Sequence, residues 1–148
     1  MPETCLVIGA GVAAFGFANA IRDAGYQGRV VIVGAEEFPP YERPPLSKAY
    51  LLGKKHEDDL IYRPLSFYEE RGITLVLGER IATLDLQARS AQAESGKTYH
   101  FDQLVLATGA NPIRLPIPGA ELPGVRVLRS MADARALRDD LHRVERVL

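Results

Sequence analysis

The chain has 148 residues, enough for one domain, and its 47% hydrophobic and 25% charged residues are ordinary globular values. Its formal net charge of −1 predicts no long-range attraction to nucleic acid or to an anionic membrane. The sequence predicts neither a membrane-spanning helix nor a signal peptide. A single cysteine excludes an internal disulfide, and three scattered histidines predict no metal site. A cytosolic location is therefore expected.

The chain opens with the pattern of a βαβ unit. The apolar run at Thr4–Ile8 predicts a buried strand, residues 11–24 have helical spacing, and residues 30–33 predict a second strand. Continuous rather than alternating apolarity is typical of parallel strands that are buried on both faces. We therefore expect two parallel strands joined by a right-handed crossover.

The remaining elements extend this α/β pattern. Residues 36–45 hold four prolines and predict a stiff, extended loop, and residues 111–123 are predicted to be irregular. Further helices are predicted at residues 47–52 (capped by Ser47), 64–71 and 131–141 (capped by Ser130). Further strands are predicted at residues 73–77, 81–86, 90–93, 98–101, 104–107 and 125–128, with residues 144–148 opening another. The expected fold is a parallel sheet with flanking helices and a small antiparallel β-meander, formed by residues 81–101.

The turn between the first strand and the first helix carries a GxGxxA motif, Gly9 to Ala14. The first glycine permits a tight turn, and the second lets the backbone approach a pyrophosphate. The free N–H groups and partial positive charge of a helix N-terminus then favour phosphate. Within a βαβ unit this motif predicts dinucleotide binding. The alternative is a helix packing site that needs only small residues.

An acidic residue after the second strand is expected to bind a ribose hydroxyl. Glu36 lies 25 residues after Gly11, near the spacing of about 20 in the dinucleotide fingerprint. Glu37 is the second candidate, and both could instead be solvated loop charges. An acid at this position fits FAD and NAD equally and disfavours a ribose 2′-phosphate.

The proline loop places two cations, Arg43 and Lys48, beyond the carboxyl end of the second strand. Ligands of open α/β sheets bind on that side. A stiff cationic loop suits an anionic cofactor, or a ring that becomes anionic on reduction. The alternative is a structural proline loop whose cations are solvated.

At this loop the chain resembles a known flavoprotein family. The string YERPPLSKAYL at residues 41–51 is similar to that of the FAD-dependent ferredoxin reductases of oxygenase systems, of the putidaredoxin and rubredoxin reductase type. The GxGxxA start and the segment YHFDQLVLATGANP at residues 99–112 match the same family, and the similarity covers essentially the whole chain. The resemblance implies a Rossmann-like FAD/NAD(P)-binding fold.

The resemblance also implies a role for each matching residue. Lys48 would lie close to the isoalloxazine as the catalytic cation, because a positive charge there favours the reduced anionic ring. Glu36 would meet the adenosine ribose, although relatives often have an acid where this chain has Ala35. The other cofactor-binding residues implied are Gly9, Gly11, Ala13 and Ala14 at the pyrophosphate, Arg43 at the flavin, Ile81 at the adenine, and Ala107, Thr108, Gly109 and Arg129 around the FAD.

In full-length relatives, the resemblance implies that NADH reduces FAD and that FAD passes single electrons to an iron–sulfur partner, a ferredoxin or rubredoxin. The family has a second GxGxxG domain for NADH, and this chain is expected to stop before it, as the N-terminal portion of the FAD-binding domain. Two alternatives stay open: a stand-alone NAD-binding domain, and a non-catalytic fragment that holds no cofactor. No nucleic-acid or membrane partner is expected.

Overall fold

A computed structural model describes residues 3–147 of the chain. These residues form two compact units. The first, which we call the sheet unit, contains the described residues through Tyr41 together with Ile61–Gly109. The second, the loop–helix unit, contains Glu42–Leu60 and the described residues from Ala110 onward.

The sheet unit is built on a four-stranded parallel sheet and a three-stranded antiparallel sheet. The parallel strands are β1 (Thr4–Ile8), β2 (Arg29–Val33), β3 (Ile73–Val76) and β7 (Gln103–Leu106), in the order β3-β2-β1-β7. The antiparallel strands are β4 (Ile81–Asp85), β5 (Ser90–Ala93) and β6 (Thr98–His100). Helix α1 (Val12–Asp23) connects β1 to β2, and α2 (Leu65–Glu70) precedes β3. The predicted fold class is therefore confirmed.

Burial on both faces explains why the central strands β1 and β2 are continuously apolar. On one face, Val7 and Ile32 pack with Ala14 and Ala18 of α1 in a buried cluster. On the other face, Leu6 and Val33 belong to a cluster that includes residues of the antiparallel sheet. The unit thus has three layers, with the parallel sheet between the helices and the meander.

The loop–helix unit contains a 3₁₀ helix (Pro44–Ser47) and α3 (Met131–Leu141). Helix α3 begins as predicted at Ser130, which forms a capping box: the Asp133 N–H donates to Ser130 Oγ at 3.2 Å, and the Ser130 N–H donates to Asp133 Oδ2 at 2.8 Å. Burial raises the pKa of Asp133, but hydrogen bonds from Ser130 and the Arg129 N–H hold it below its usual value. The Asp133 partner of this capping box is therefore held in its ionised form.

Replacing Ser130 with alanine is expected to destabilise the chain by about 1 kcal/mol, because one N-terminal N–H group of α3 loses its acceptor. Chemical denaturation monitored by circular dichroism measures this change. Ser47→Ala is the matched control, since Ser47 is exposed and lies at the end of the 3₁₀ helix rather than before a helix. Equal losses in the two variants would contradict the cap.

Three predicted elements are wrong. Ser47 does not cap a helix over residues 47–52: the chain forms the 3₁₀ helix at Pro44–Ser47 and then turns up to Gly53, whose φ is +68°. The pair Pro44-Pro45 fixes φ at the first turn, which favours a helix that begins there. Residues 125–128 are irregular, because the described part of the loop–helix unit offers no strand to pair with them. Residues 144–147 likewise form no strand, and Leu148 lies outside the described residues.

Within the described range, the search for a helix long and apolar enough to cross a membrane finds none.

Candidate functional site

The turn after β1 is held against the segment that follows β7. Gly9 has φ +108°, and its N–H donates to Val33 O at 2.8 Å. A Cβ at Gly9 would lie 2.1 Å from Ala107 O and 3.0 Å from Thr108 N. Only glycine combines this positive φ with such a close backbone approach. The GxG turn and residues 107–109, which we call the ATG segment, therefore form one structural feature.

The N-terminus of α1 is open. Gly11 is its N-cap residue and no described side chain caps it by a hydrogen bond. A Cβ at Gly11 would meet no described heavy atom within 4 Å. Val12 is 62% exposed, whereas Ala14 is fully buried against the sheet. The first helical N–H groups thus face open space with no acidic side chain in the first turn, which is the arrangement that binds an anion.

This position is also where the topology creates a crevice. From β1 the chain moves outward to β2 and β3, then returns to the other side of β1 as β7. Open α/β sheets bind ligands at the carboxyl ends of the strands where the strand order reverses in this way. Gly9 and Ala107 follow β1 and β7 at that point, and the Ala107 N–H donates to Ile8 O at 2.8 Å. A pyrophosphate therefore fits the residues present.

Glu36 follows β2 at the same edge of the sheet and is held in place by its neighbours. The Tyr41 hydroxyl donates to Glu36 Oε2 at 2.6 Å, and the Gly78 N–H donates to Glu36 O at 2.9 Å. Gly34 brings this segment close to the glycine turn, since a Cβ there would lie 2.4 Å from Ala10 Cβ. Glu36 is half-buried, whereas Glu37 is exposed. Of the two candidate acids, Glu36 has the fixed carboxylate.

The remaining predicted residues of the sheet unit lie at the ends of strands. Ile81 is the first residue of β4, is half-buried and pairs with Ala93 of β5. Thr108 and Gly109 directly follow β7 and Ala107 and are exposed, and Gly109 has φ +72°. Their exposure leaves them accessible to a ligand.

The cationic residues Arg43, Lys48 and Arg129 belong to the loop–helix unit. Arg43 Nη1 donates to Arg129 O at 2.7 Å, so the structure brings these two residues together. They line an open cleft of about 270 Å³ with Pro44, Leu46, Ser47 and Leu128. Lys48 follows the 3₁₀ helix, its N–H donates to Pro45 O at 2.9 Å, and its side chain is exposed.

A polar cluster that the sequence did not reveal fixes the loop that carries these cations. Tyr50 is fully buried, its hydroxyl donates to Glu57 Oε1 at 2.9 Å, and Glu57 forms an ion pair with Arg135 of α3. The Arg138 guanidinium lies 4.7 Å from the centre of the Tyr50 ring. Burial raises the pKa of Tyr50, and hydrogen bonds from Arg135 lower the pKa of Glu57. We call these four residues the Tyr50 cluster.

Two functional details were missed by sequence reasoning for different reasons. Residues 54–59 are a polar stretch in the sequence, yet the Glu57 side chain is only 25% exposed. The bond from Tyr41 to Glu36 was not predicted either. Both tyrosines lie in the YERPPLSKAYL string. Tyr41 directly follows Pro40, and Tyr50 lies between Ala49 and Leu51, and these apolar neighbours are the signal that could have marked the tyrosines as buried.

Comparison with known proteins assigns this chain to a protein family. The chain matches the family described as pyridine nucleotide-disulphide oxidoreductase over residues 3–148, and it therefore belongs to that family. The rubredoxin-NAD(+) reductase of Pseudomonas putida is 40% identical over 136 residues, which make up 92% of this chain and 35% of that protein.

Solved structures agree with this assignment. The ferredoxin reductase for the CYP199A2 system of Rhodopseudomonas palustris is 38% identical with a TM-score of 0.88, over 95% of this chain and 35% of that one. Putidaredoxin reductase in its covalent complex with putidaredoxin is 31% identical with a TM-score of 0.84, over 94% of this chain and 34% of that one. The predicted resemblance is confirmed. This chain spans about a third of the length of the curated relatives it matches.

Proposed function

We propose that this chain binds FAD, as the FAD-binding portion of an NADH-dependent ferredoxin reductase-like oxidoreductase. The observation that carries the proposal is the open, uncapped N-terminus of α1 beside the contact of Gly9 with Ala107. That arrangement suits a pyrophosphate. The resemblance of residues 41–51 and 99–112 to the FAD-dependent ferredoxin reductases supports a flavin rather than a nicotinamide dinucleotide at this site.

Each part of the cofactor would have its own residues. Gly9, Gly11, Ala13 and Ala14 would lie along the pyrophosphate, with helix N–H groups as donors. Glu36 would accept hydrogen bonds from the adenosine ribose. Ile81 would contact the adenine through its backbone, while Ala107, Thr108 and Gly109 would lie over the cofactor. Arg43, Lys48 and Arg129 of the loop–helix unit would bind its flavin half.

A bound FAD would supply the redox chemistry, namely acceptance of a hydride from NADH and release of single electrons. The protein's contribution is to bind, orient and tune it. The Lys48 ammonium would act electrostatically, because a cation near the ring stabilises negative charge on it. The prolines around Arg43 hold the loop in a restricted conformation, so less conformational entropy is lost when its cations bind an anion.

The electron acceptor we propose is an iron–sulfur protein, a ferredoxin or a rubredoxin. The names of the rubredoxin-NAD(+) reductase and of the putidaredoxin reductase–putidaredoxin complex support this class of partner. Because this chain spans about a third of such proteins, we propose that reaction for a protein that also carries an NADH site. A cytosolic location stays a prediction.

The direct test is the melting temperature of the purified, desalted chain with FAD, FMN or NAD. A ligand at 100 times its dissociation constant stabilises the native state by about 2.7 kcal/mol. We expect FAD to raise the melting temperature and to leave a visible flavin band after gel filtration. FMN is the matched control, because it lacks the adenosine monophosphate half, and with it the pyrophosphate, and should stabilise the chain less.

Two outcomes would contradict the proposal. A melting temperature that FAD does not change would mean that the chain holds no flavin. If NAD displaced FAD in a competition experiment, the chain would be a nicotinamide-binding domain instead.

A further inference from the structure

We propose that Tyr41 is a positioning residue, which orients the Glu36 carboxylate toward the ribose hydroxyls of a bound adenine dinucleotide. This inference rests on the proposed FAD site, and it adds a residue whose side chain touches Glu36 rather than the cofactor. The juxtaposition that carries it is the 2.6 Å hydrogen bond from the Tyr41 hydroxyl to Glu36 Oε2.

The bond has the length of a charge-assisted contact. A hydroxyl that donates to a carboxylate lies about 2.5–2.7 Å from it, and such bonds are roughly twice as strong as neutral ones. An ionised carboxylate can accept at about four lone-pair positions. The bond from Tyr41 therefore uses one acceptor position of Glu36 and sets the orientation of the carboxylate.

Tyr41 is itself immobile. Its side chain is only 4% exposed, and the edge of its ring packs on Phe38 with 6.2 Å between ring centres. Its backbone forms an antiparallel bridge with Ile61, and the Tyr62 N–H donates to Pro40 O at 3.0 Å beside it. A donor that is fixed on both backbone and ring can hold its acceptor in one orientation.

Glu36 is fixed at its other end as well. Its carbonyl accepts from the Gly78 N–H at 2.9 Å, and the neighbouring Gly34 carbonyl accepts from the Glu79 N–H at 2.8 Å. With the backbone tied to the turn after β3 and the carboxylate tied to Tyr41, the side chain loses its rotamer freedom on folding rather than on binding. Preorganisation of this kind raises affinity without adding a contact to the ligand.

The test is a double-mutant cycle on FAD affinity in the full chain, with Tyr41→Phe, Glu36→Ala and the double variant. Tyr41→Phe removes one hydroxyl and keeps the buried ring. We expect it to raise the dissociation constant for FAD about fivefold, because a Glu36 side chain released from Tyr41 would lose its rotamer freedom on binding rather than on folding. Adding Tyr41→Phe to Glu36→Ala is expected to change the constant by less than about twofold, because the acceptor is already gone.

Tyr26→Phe is the matched control, since it also removes a phenolic hydrogen bond, from Tyr26 to Glu3 O at 3.2 Å, at the opposite ends of the strands. It should leave FAD affinity unchanged. Melting temperatures of all variants separate effects on FAD binding from effects on stability. The dissociation constants are compared under conditions where each variant has the same fraction of folded protein.

The outcomes separate this inference from the function on which it rests. If the unsubstituted chain binds FAD and Tyr41→Phe binds it equally well, the inference is overturned and the FAD site stands. Equal losses from Tyr41→Phe with and without Glu36 would also overturn it, because they would show a structural role independent of the carboxylate. If the unsubstituted chain binds no FAD, the proposed function fails and this inference falls with it.

Discussion

Replacing Gly9 with alanine is expected to destabilise the sheet unit by at least about 3 kcal/mol and to abolish FAD binding. The added methyl group would stand 2.1 Å from Ala107 O, on a backbone whose φ is +108°. The clash can be relieved only if the turn moves away from the segment after β7, because the nearest atoms, Ala107 O and Thr108 N, belong to the backbone. Denaturant titration measures the stability change, and flavin absorbance measures the binding.

Gly11→Ala is the control that separates the two roles of the glycine motif. A Cβ there meets no described heavy atom within 4 Å, and φ is −96°, which any residue adopts. We expect stability to change by less than about 1 kcal/mol, while FAD binding weakens because the methyl group occupies the space that a phosphate needs. A Gly9→Ala protein as stable as Gly11→Ala would disprove the close contact with the ATG segment.

Removal of the Glu57 side chain is expected to have the second largest effect, a loss of about 2 kcal/mol for Glu57→Ala. The Tyr50 hydroxyl, on a fully buried residue, would lose its acceptor, and an unsatisfied buried group costs about 1–3 kcal/mol. The ion pair with Arg135 adds little, since that side chain is 48% exposed and solvent screens the interaction. Urea denaturation at neutral pH measures the loss.

The same variant should change how stability depends on pH. Arg135 lowers the pKa of Glu57 in the folded chain. The stabilisation of the folded state by ionised Glu57 is therefore complete above the ordinary glutamate pKa of about 4.3. It disappears as the pH falls below that value through the lowered, folded-state pKa. Unfolding measured between neutral and acid pH should therefore be less pH-dependent in Glu57→Ala than in the unsubstituted chain.

Glu94→Ala is the matched control for Glu57. Glu94 also pairs with an arginine, Arg80, but at 3.8 Å and with both side chains more than 60% exposed. Its loss should change stability by less than about 0.5 kcal/mol. Equal effects at Glu57 and Glu94 would show that the Tyr50 cluster does not stabilise the loop–helix unit.

The sequence was sufficient to predict those elements whose residue pattern lies within a short stretch of the chain. The βαβ unit follows from continuous apolar runs and the GxGxxA turn, and the start of α3 follows from Ser130. The meander follows from short strands separated by turn residues. Turns, caps and patterns of apolar residues a few positions apart define these elements, so they can be recognised in the sequence.

The sequence was insufficient where distant segments decide the outcome. Residues 125–128 have the composition of a strand, but a strand needs a partner, and none lies beside them in the described loop–helix unit. Glu57 looks like one more charge in a polar stretch until Tyr50 and Arg135 meet it. In the candidate site, Gly9 and Glu36 were predicted from the dinucleotide motif and its spacing. The hydrogen bond from Tyr41 to Glu36 was not, because it depends on how the proline loop folds back.

The contact of Gly9 with Ala107 also determines when the phosphate-binding turn can exist during folding. The motif is synthesised among the first residues, but the backbone that completes its shape arrives only with β7, near the other end of the sheet unit. A nascent chain that has made only the βαβ segment carries the motif without the finished cradle. Contacts between such distant residues form late, because a long loop must close before they are made. We therefore expect the proposed cofactor site to form only after nearly all of the sheet unit has left the ribosome.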